Sequence, residues 1–469
     1  MALAATSLLL LVVALFAACA DAAPTVTPEP TPIPLILVAE SGGDTTAFTT
    51  TRNAFGLSAR NLDTLERRTF AVGNSFFRQN WVTAPASTEA RDGLGPTFNA
   101  LSCSSCHLLD GRGKPPDGPD DGERGLLLRL SIPGADPHGG PLPEPVYGGQ
   151  LQDRAIVGVP IEGEFIIVYQ EMPGVFADGE PYSLRRPTYQ FRKLAFGAMN
   201  PETLVSPRVA PAVVGMGLLE AIPEADILSA ADPDDADGDG ISGRVNMVWD
   251  ERKGAMSLGR FGWKSNVPTI EQQTAGAFLG DLGVTSQLFP EENCTGPQED
   301  CMDAPNGGRP EIGAKRLADV VFYTQTLAVP AMRDISDPQV QKGSQIFIQA
   351  GCAVCHTPQH TTGQHEIEAL SNQTIYPYTD LLLHDMGPEL ADGRPDFDAN
   401  GQEWRTPPLW GIGLVETVNG HTMFLHDGRA RNLTEAILWH GGEGTAARDA
   451  FKALTREERE ALIRFLNSL

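Results

Sequence analysis

Two short motifs of the form Cys-x-x-Cys-His carry the clearest chemistry in this sequence. Each supplies two thiols and one imidazole: Cys103, Cys106 and His107 in the first, and Cys352, Cys355 and His356 in the second. Two thiols at this spacing bond covalently to the vinyl groups of a porphyrin, and the histidine that follows reaches the iron as an axial ligand. The sequence therefore predicts two covalently bound haem c groups.

A zinc knuckle and a redox-active thiol pair are the alternative interpretations of these motifs. A zinc site would need two cysteine pairs with no fixed histidine directly after each. Thiol redox chemistry of the thioredoxin type does not require that histidine either. The histidine that follows both pairs favours haem.

The chain has seven cysteines, and the three outside the motifs can each be given a separate role. Cys294 and Cys301 are close enough in sequence to form a disulfide. Cys19 ends an apolar run that begins at Leu8, and Phe-Ala-Ala-Cys at this point resembles the cleavage box of bacterial lipoproteins, in which the cysteine becomes lipidated. We therefore expect residues 1–19 to be a lipoprotein-type signal peptide, with the mature protein attached to a membrane through Cys19.

Two other interpretations of this segment stay open. No Lys or Arg precedes the apolar run, whereas a signal peptide normally begins with a basic region, so a simple secretory signal is the first alternative. A retained anchor helix is the second, although the run is shorter than the roughly 18 residues of a membrane span. All three interpretations place the bulk of the chain in the periplasm or cell envelope, where a disulfide persists.

The composition indicates a tethered, acidic protein. Residues 20–45 are rich in proline and favour an extended polyproline conformation, so we expect a linker. The formal net charge of −25 argues against nucleic acid as a partner. It would suit a basic electron-donor protein, while a solvated acidic surface on an exported protein is the other explanation.

The sequence repeats itself beyond the cysteine motifs. Three blocks recur in the same order, and the pairs are Gly73–Phe77 with Gly343–Phe347, 208–220 with 405–416, and 261–274 with 425–437. A shared order of blocks predicts two related haem units. We place the N-terminal unit, which carries long insertions, at residues 46–330 and the compact C-terminal unit at 331–469.

These units predict a mainly α fold, in which two cytochrome c-like haem domains pack together. Long loops and a few short strands enlarge the first domain, and the alternation in residues 164–169 predicts one such strand. Thr455 and Glu458 form a capping box, and the apolar residues after it fall at helical spacing. We expect this closing helix to pack against the helix near Phe347.

A run of carboxylates lies in the first unit. Asp235, Asp237 and Asp239 occupy alternate positions and are followed by Gly240, an arrangement in which oxygens converge on calcium while glycine permits the turn. Position twelve of the loop is Asn246, where a full EF-hand has glutamate. The three aspartates are candidate calcium ligands, and a solvated acidic turn is the alternative.

Together these motifs resemble the di-haem oxidoreductase family, whose members are described as putative peroxidases. Beside the cysteine motifs, the segments that carry the resemblance are 234–243, 382–387, 403–411, 424–431 and 437–442. The family is similar to bacterial di-haem cytochrome c peroxidases and to the MauG enzymes, in which one haem receives electrons and the other meets peroxide. The resemblance extends from about Gly73 to Leu469.

The resemblance implies a second axial ligand for the C-terminal haem. In the peroxidases a His-Asp-Gly motif leads into a Leu-x-x-Ala-Val helix, and the ligand of the electron-transfer haem follows three residues later. Here His426 begins that motif, and His440 occupies the ligand position. A haem held by His356 and His440 would have a lowered reduction potential, because imidazole is the stronger donor toward ferric iron. A surface or capping histidine is the alternative.

The resemblance also implies that the N-terminal haem meets the oxidant. The glutamate that moves the proton in the peroxidases corresponds to Gln272, and an amide cannot serve as a general base. Glu271 and Glu220 are the candidates to replace it. We expect an open iron site at this haem, and Met199 and His138 are the alternative sixth ligands.

Two functions from different classes follow. The first is an enzyme: electrons from a donor protein or a small donor enter at the C-terminal haem, pass to the N-terminal haem, and reduce peroxide or a similar small oxidant. The second is a non-enzymatic electron-transfer protein in which both irons have six ligands. Oxidative modification of a partner protein, as in MauG, is a third.

Overall fold

The computed structural model describes residues 37–118, 121 and 125–469. These described residues form one compact unit. Within the described residues, no helix is both long enough and apolar enough to cross a membrane. The predicted signal peptide and the lipidation site Cys19 lie outside the described residues.

The helices are short, and several begin where a side chain accepts a hydrogen bond from an amide of the first turn. Such caps are Asp63, Thr269, Asp337, Asn432 and Thr455. The α-helices are α1 Thr64–Arg78, α2 Cys103–Cys106, α3 Met216–Glu220, α4 Glu224–Ala230, α5 Ile270–Leu282, α6 Glu299–Met302, α7 Ala314–Gln325, α8 Pro338–Gln349, α9 Val415–Asn419, α10 Leu433–Leu438, α11 Thr445–Ala453 and α12 Arg456–Leu466. Single 3₁₀ turns lie at Gly43–Thr45, Leu108–Asp110, Cys352–Val354, Glu368–Leu370, Ile412–Leu414 and Gly442–Gly444.

The strands form several small antiparallel sheets. They are β1 Thr97–Phe98, β2 Leu126–Ala135, β3 Pro141–Leu142, β4 Arg154–Ala155, β5 Glu164–Val175, β6 Pro181–Arg192, β7 Leu204–Val209, β8 Met247–Asp250, β9 Ala255–Leu258, β10 His360–Thr361, β11 Thr374–Ile375, β12 Leu383–Asp385 and β13 Glu403–Arg405. β5 and β6 form a long hairpin. β2 is the centre of a sheet with the order β3-β2-β7, and the other pairs are β1 with β4, β8 with β9, β10 with β11 and β12 with β13.

The expectation of a mainly α fold with a few short strands is wrong. Helices account for 28% of the residues and strands for 19%, and β5 and β6 are each twelve residues long. Valine, isoleucine, tyrosine and phenylalanine make up half of β5, and tyrosine and phenylalanine recur in β6. Such side chains favour a pleated, half-buried surface. The insertions in the first half therefore fold as sheets rather than as loops.

Predictions that depend on neighbouring residues are confirmed. Cys294 and Cys301 form a disulfide. Thr455 and Glu458 form a capping box at the start of α12. The strand predicted at residues 164–169 is the first half of β5. Each of these features is set by residues close together in the chain, so the sequence pattern was sufficient.

Two pairs of helices cross at a glycine, once in each half of the sequence. α1 packs against α7, and α8 packs against α12, as predicted for the closing helix. A Cβ at Gly73 would lie 2.0 Å from the Asp319 carbonyl oxygen, and a Cβ at Gly343 would lie 2.0 Å from the Ala461 carbonyl oxygen. The two backbones therefore meet more closely than any side chain at the crossing would allow.

The other repeated blocks also have matching geometry. A Cβ at Gly217 would lie 2.3 Å from the Gln325 carbonyl oxygen at the end of α7, and a Cβ at Gly413 would lie 2.1 Å from the Asn467 carbonyl oxygen just after α12. In the third block a single antiparallel bridge forms in each half: Phe261 with Val267, and Phe424 with Ala430. The same order of contacts in both halves supports an internal repeat.

Apolar side chains form two main clusters, and each contains residues from both halves. One is built around α1, α5 and α7 and includes Leu381 and Trp410. The other is built around α8, α10 and α12 and includes Phe176 and Leu184 from the β5–β6 hairpin. The halves therefore share their cores, and the domain boundary at residue 330 stays a prediction.

The last residues of the predicted linker pack onto the compact unit. The Met332 amide donates to the Ala39 carbonyl and to the Ser41 hydroxyl, each at 3.0 Å. Thr45 and Thr46 are buried. The segment from about residue 39 is therefore held by the fold, although it follows directly on a proline-rich stretch.

Candidate functional site

The two Cys-x-x-Cys-His motifs fold as short helical turns. Cys103 and Cys106 begin and end α2, and a 3₁₀ turn begins at Cys352. Side chains three residues apart lie on one face of such a turn, so the two thiols of a motif share a side and the histidine follows at its end. Burial raises the pKa of Cys103 and that of Cys352 to about 12. Each motif therefore presents neutral thiols.

Each motif histidine is held through one ring nitrogen. His107 Nδ1 lies 2.7 Å from the Pro211 carbonyl oxygen, and His356 Nδ1 lies 2.9 Å from the Tyr378 carbonyl oxygen. A carbonyl only accepts, so Nδ1 donates and Nε2 keeps its lone pair for a metal. Burial lowers the pKa of His107, and it lowers the pKa of His356 to about 4. Both imidazoles are neutral near pH 7.

The helix crossings position both histidines in the same way. The ring of Phe77 on α1 lies 6.2 Å from the His107 ring, and the ring of Phe347 on α8 lies 6.3 Å from the His356 ring. A ring of the helix packed against it contacts each phenylalanine. The Tyr323 ring on α7 lies 5.2 Å from the Phe77 ring, and the Phe465 ring on α12 lies 5.3 Å from the Phe347 ring. The repeated packing thus builds two equivalent histidine sites.

The geometry gives no support to a zinc knuckle. Within the described residues, three metal-ligating side chains come together at two places: Cys355 with Asp380 and His384, and Asp232 with Asp235 and Asp237. Neither place joins two cysteines, whereas a zinc knuckle needs several thiolates around one ion. The thiol pairs, each with one Nε2 available, fit one haem per motif.

Asp110 connects the first motif to the closing helix α7. The Tyr323 hydroxyl donates to Asp110 Oδ1 at 2.5 Å, and Asp110 is 1% exposed. Burial raises the pKa of Asp110 to about 6. The Asp110 carboxyl therefore binds its proton more tightly in the folded protein than in the unfolded chain.

The replacement Asp110→Asn should remove a pH dependence of stability. Because the folded-state pKa is raised, the wild type loses stability as pH rises from about 4 to about 6, and the loss is constant above that range. Relative to the wild type, the variant should gain up to roughly 3 kcal/mol across this interval. Urea unfolding from about pH 4 to about pH 7 measures the difference. A difference that does not change with pH would contradict the prediction.

His440, the predicted axial ligand, follows α10. His440 Nδ1 lies 2.8 Å from the Ala436 carbonyl oxygen, so its Nε2 is available as in the motif histidines. Burial lowers the pKa of His440, and His440 lies close enough to His356 to oppose protonation there. Ligation of a haem iron by His440 stays a prediction.

A charged imidazole, His384, lies beside the second motif. His384 Nδ1 lies 2.7 Å from Glu443 Oε2 and 3.6 Å from Cys355 Sγ, and Nε2 lies 2.8 Å from Asp380 Oδ2. Burial opposes the charge, but the hydrogen bonds that His384 forms with Asp380, Cys355 and Glu443 raise its pKa to about 12. Sequence reasoning missed this group, since Glu443 lies 59 residues away in the chain.

Gln272, which stands where the peroxidases have their glutamate, and Glu271, a candidate to replace it, are each engaged with the protein. Gln272 Nε2 donates to the Trp249 carbonyl at 2.9 Å, and its Oε1 accepts from the Glu251 amide at 2.9 Å. Glu271 forms an ion pair with Arg252. Both side chains thus join the start of α5 to the end of β8.

Glu220, the third candidate, holds the same end of α5. Its Oε1 accepts from the Ile270 amide at 2.8 Å, and its Oε2 accepts from Gln325 Nε2 at 2.7 Å. Burial raises the pKa of Glu220, but its hydrogen bonds, with His365 foremost, outweigh burial and lower it. Glu220 is therefore a carboxylate that positions a helix, and its role in proton transfer stays a prediction.

The predicted calcium loop brings together a different set of aspartates. Oxygens of Asp232, Asp235 and Asp237 lie within 4.8 Å of one another. Asp239 Oδ1 instead accepts a hydrogen bond from the Ile241 amide at 2.8 Å. Asp232 thus takes the place that the spacing predicted for Asp239, and calcium binding stays a prediction.

The duplicated histidine sites define a protein built to hold two haem groups. A family model described as di-haem oxidoreductase, putative peroxidase, matches residues 35–469. The chain belongs to this family, as its motifs predicted. No curated protein matches the chain at a level that shows kinship. The family makes the chain an oxidoreductase with haem cofactors.

Proposed function

We propose that this chain is an exported di-haem c-type oxidoreductase that reduces peroxide or a similar small oxidant. The haems would be bound through the thiols of the two motifs and would supply one-electron redox chemistry. An electron-donor protein or a small donor would deliver electrons at the site of His356, for transfer to the site of His107. The oxidant would react at the N-terminal site.

The observation that carries this proposal is the asymmetry between two otherwise equivalent sites. Both motif histidines are neutral and bonded through Nδ1, but His440 is one of the groups that oppose protonation of His356. Among the described residues, no histidine contributes to the lowered pKa of His107. A site with two imidazoles suits electron transfer, and a site with one suits binding of a small oxidant.

The engagement of Gln272, Glu271 and Glu220 favours a second function, non-enzymatic electron transfer. Each of these side chains is hydrogen-bonded or ion-paired within the protein. A general base must reach the proton that it moves. If none of them leaves its partner, proton transfer to a bound peroxide would depend on other groups.

Steady-state turnover with hydrogen peroxide and a reduced donor, on haem-loaded full-length protein, distinguishes the two functions. We expect donor oxidation well above the rate of donor and peroxide alone. Both the oxidised and the half-reduced protein should be assayed, because related peroxidases can open one site on partial reduction. Absence of turnover in both forms would leave electron transfer as the function.

The replacement His440→Ala should change the spin state of one haem. With its second imidazole removed, the C-terminal site should lose its low-spin ferric signal and gain a high-spin one. Electron paramagnetic resonance and absorption spectra measure the change. The exposed His138, replaced by alanine, provides the control and should leave the signal of the C-terminal haem as in the wild type. An unchanged low-spin signal in His440→Ala would exclude His440 as the ligand.

Export and membrane attachment are a further part of the proposal and rest on the sequence around Cys19. Lipidation of Cys19 would hold the protein at the cell envelope. Fatty-acid labelling tests this attachment. A labelled wild type, and a Cys19→Ser variant that loses both the label and membrane association, would support it. Equal membrane association of both proteins would exclude attachment through Cys19.

A further inference from the structure

The internal repeat places different residues at the position of the predicted axial ligand. Helix α10 begins at Leu433, three residues after its bridge, and α5 begins at Ile270, three residues after the equivalent bridge. His440 lies seven residues beyond the start of α10. The residue seven beyond the start of α5 is Ala277. A methyl group cannot coordinate iron, so the first half has no ligand at this position.

Small residues on α5 leave space beside Ala277. Gly276 precedes it, and Gly280 lies about one turn later. A Cβ at Gly280 would lie 3.7 Å from Arg129 Nη1 and 3.9 Å from Gln150 Oε1. The side chains of Arg129 and Gln150 therefore reach α5 next to the residue that replaces the axial ligand.

Arg129 belongs to a polar face of a sheet whose other face is buried in an apolar cluster. In the backbone pairing of this sheet, Arg129 of β2 lies opposite Gln150 on one side and opposite Ser206 of β7 on the other. These side chains share one face, and Gln152, two residues beyond Gln150, shares it as well. That face is turned toward α5, because Gln150 Nε2 and Gln152 Nε2 donate to the Gly280 carbonyl at 2.9 and 2.8 Å.

Three polar groups on this face have no partner. Gln150 is 5% exposed and Gln152 is 2% exposed, yet Oε1 of each accepts no hydrogen bond in the described part of the chain. The Arg129 guanidinium likewise has neither a hydrogen bond nor an ion pair among the described residues. Native proteins leave few buried polar groups unsatisfied. Two such buried oxygens beside the half-buried Arg129 guanidinium indicate a space for a polar ligand.

The charges around this space favour a ligand that carries or develops negative charge. Arg208 and Arg394 share the carboxylate of Asp396, at 2.7 and 2.9 Å. Asp281 and Asp396 are the carboxylates that act on Arg129, and Arg208 opposes its charge. Three guanidinium groups thus face two carboxylates. One negative charge would complete the balance.

We propose that Arg129, Gln150 and Gln152 form the ligand pocket of the N-terminal haem site, on the side where the repeat places Ala277. Asp281 acts on both Arg129 and His107, which puts the pocket beside the first motif. The ligand class is a small oxidant with an oxygen–oxygen bond. This inference rests on the function proposed above and names the residues that meet the oxidant.

The chemistry for a hydroperoxide balances with the donor already proposed. The oxygen–oxygen bond breaks, two electrons come from the donor and two protons come from solvent, so that one oxygen leaves as water and the other stays in an alcohol or a second water. Arg129 donates hydrogen bonds to the oxygen that becomes negative as the bond breaks. Gln150 Oε1 and Gln152 Oε1 accept from the peroxide hydroxyl.

Azide binding to the ferric holoprotein tests the pocket without turnover. Azide is a small anion that binds open haem iron, and absorption spectra follow it. The variant Arg129→Gln should bind azide about tenfold to a hundredfold more weakly, the effect of a lost hydrogen bond to a charged group, and Arg129→Lys should recover part of the loss. The control is Arg260→Gln, another half-buried arginine, whose guanidinium donates to the Leu219 and Ile222 carbonyls. It should bind azide like the wild type.

Ala277→His provides an independent variant should Arg129→Gln fail to fold. It should supply the missing imidazole, convert the N-terminal haem to a low-spin state and abolish azide binding. Four results would each overturn the pocket. In the first two, the wild type does not bind azide, or Arg129→Gln binds it with unchanged affinity. In the others, Arg260→Gln loses as much affinity as Arg129→Gln, or Ala277→His binds azide like the wild type. A wild type that shows these azide effects but no peroxide turnover supports the pocket and refutes the peroxide function. Peroxide turnover together with an azide affinity that does not depend on Arg129 supports the peroxide function and refutes the pocket.

Discussion

Replacing Gly343 by alanine should lower the free energy of unfolding by about 1 to 2 kcal/mol. The new Cβ would lie 2.0 Å from the Ala461 carbonyl oxygen and 2.7 Å from Phe465 Cβ, so α8 and α12 would have to move apart. Overpacking of this kind costs about 1 to 3 kcal/mol, and occasionally more. Alanine itself would contribute about 1 kcal/mol through its higher helix propensity. We expect the clash to outweigh that gain, because backbone cannot rotate away as a side chain can.

Chemical denaturation of the holoprotein measures this effect, and the spectrum of the C-terminal haem reports whether His356 keeps its position. The matched control is Gly296→Ala, since nothing lies within 4 Å of a Cβ at that position. It should change the free energy of unfolding by less than about 0.5 kcal/mol. Equal stability of the wild type and Gly343→Ala would mean that the two helices do not cross at this glycine.

Replacing Lys264 by methionine should cost about 3 to 5 kcal/mol, the typical effect of breaking a buried ion pair from one side. Lys264 is 0% exposed. Lys264 Nζ donates at 2.8 Å to Asp392 Oδ1 and, at the same distance, to the carbonyls of Arg394 and Asn400. Methionine would fill a similar volume, but the two carbonyls would lose this donor. The Asp392 carboxylate would lose its charged partner and keep the Arg394 amide as a donor, at 2.9 Å.

Urea or thermal unfolding measures the loss, and an exposed ion pair in the same half provides the control. Lys253 pairs with Asp250 at 3.3 Å, but the lysine side chain is 64% exposed. Lys253→Met should therefore cost less than about 1 kcal/mol, because water screens the pair and replaces it. Similar losses in the two variants would show that burial does not set the strength of the Lys264 interaction.

The position of Lys264 also links stability to the site. Its partners Asp392 and Arg394 lie on the loop between β12 and β13, the loop that carries Asp396 to Arg208. Loosening this loop would disturb the charges around Arg129 while leaving the cysteine motifs in place. We therefore expect Lys264→Met to alter azide binding less than Arg129→Gln does, once both are compared in the folded state.

Features that depend on nearby residues could be predicted well. The two cysteine motifs, the capping box at Thr455, the disulfide of Cys294 and the helix crossing expected near Phe347 all follow from spacing within a few positions or from one repeated pattern. The mainly α fold was predicted wrongly. The β5–β6 hairpin arises in an insertion without a counterpart in the second half, so the repeat carried no information about it.

The sequence by itself determined which side chains are the candidates to hold the haems, because a thiol pair and the histidine beside it must be neighbours in the chain to serve one porphyrin. Tertiary structure alone decided what surrounds them. Hydrogen bonds join residues that are far apart in the chain: His384 to Glu443 across 59 residues, Lys264 to Asp392 across 128, and Arg208 to Asp396 across 188. The electrostatic character of a buried group depends on which partners replace its lost water. Those partners come from distant segments, so only the folded chain shows that Arg129 has none and that Ala277 stands where the other half has His440.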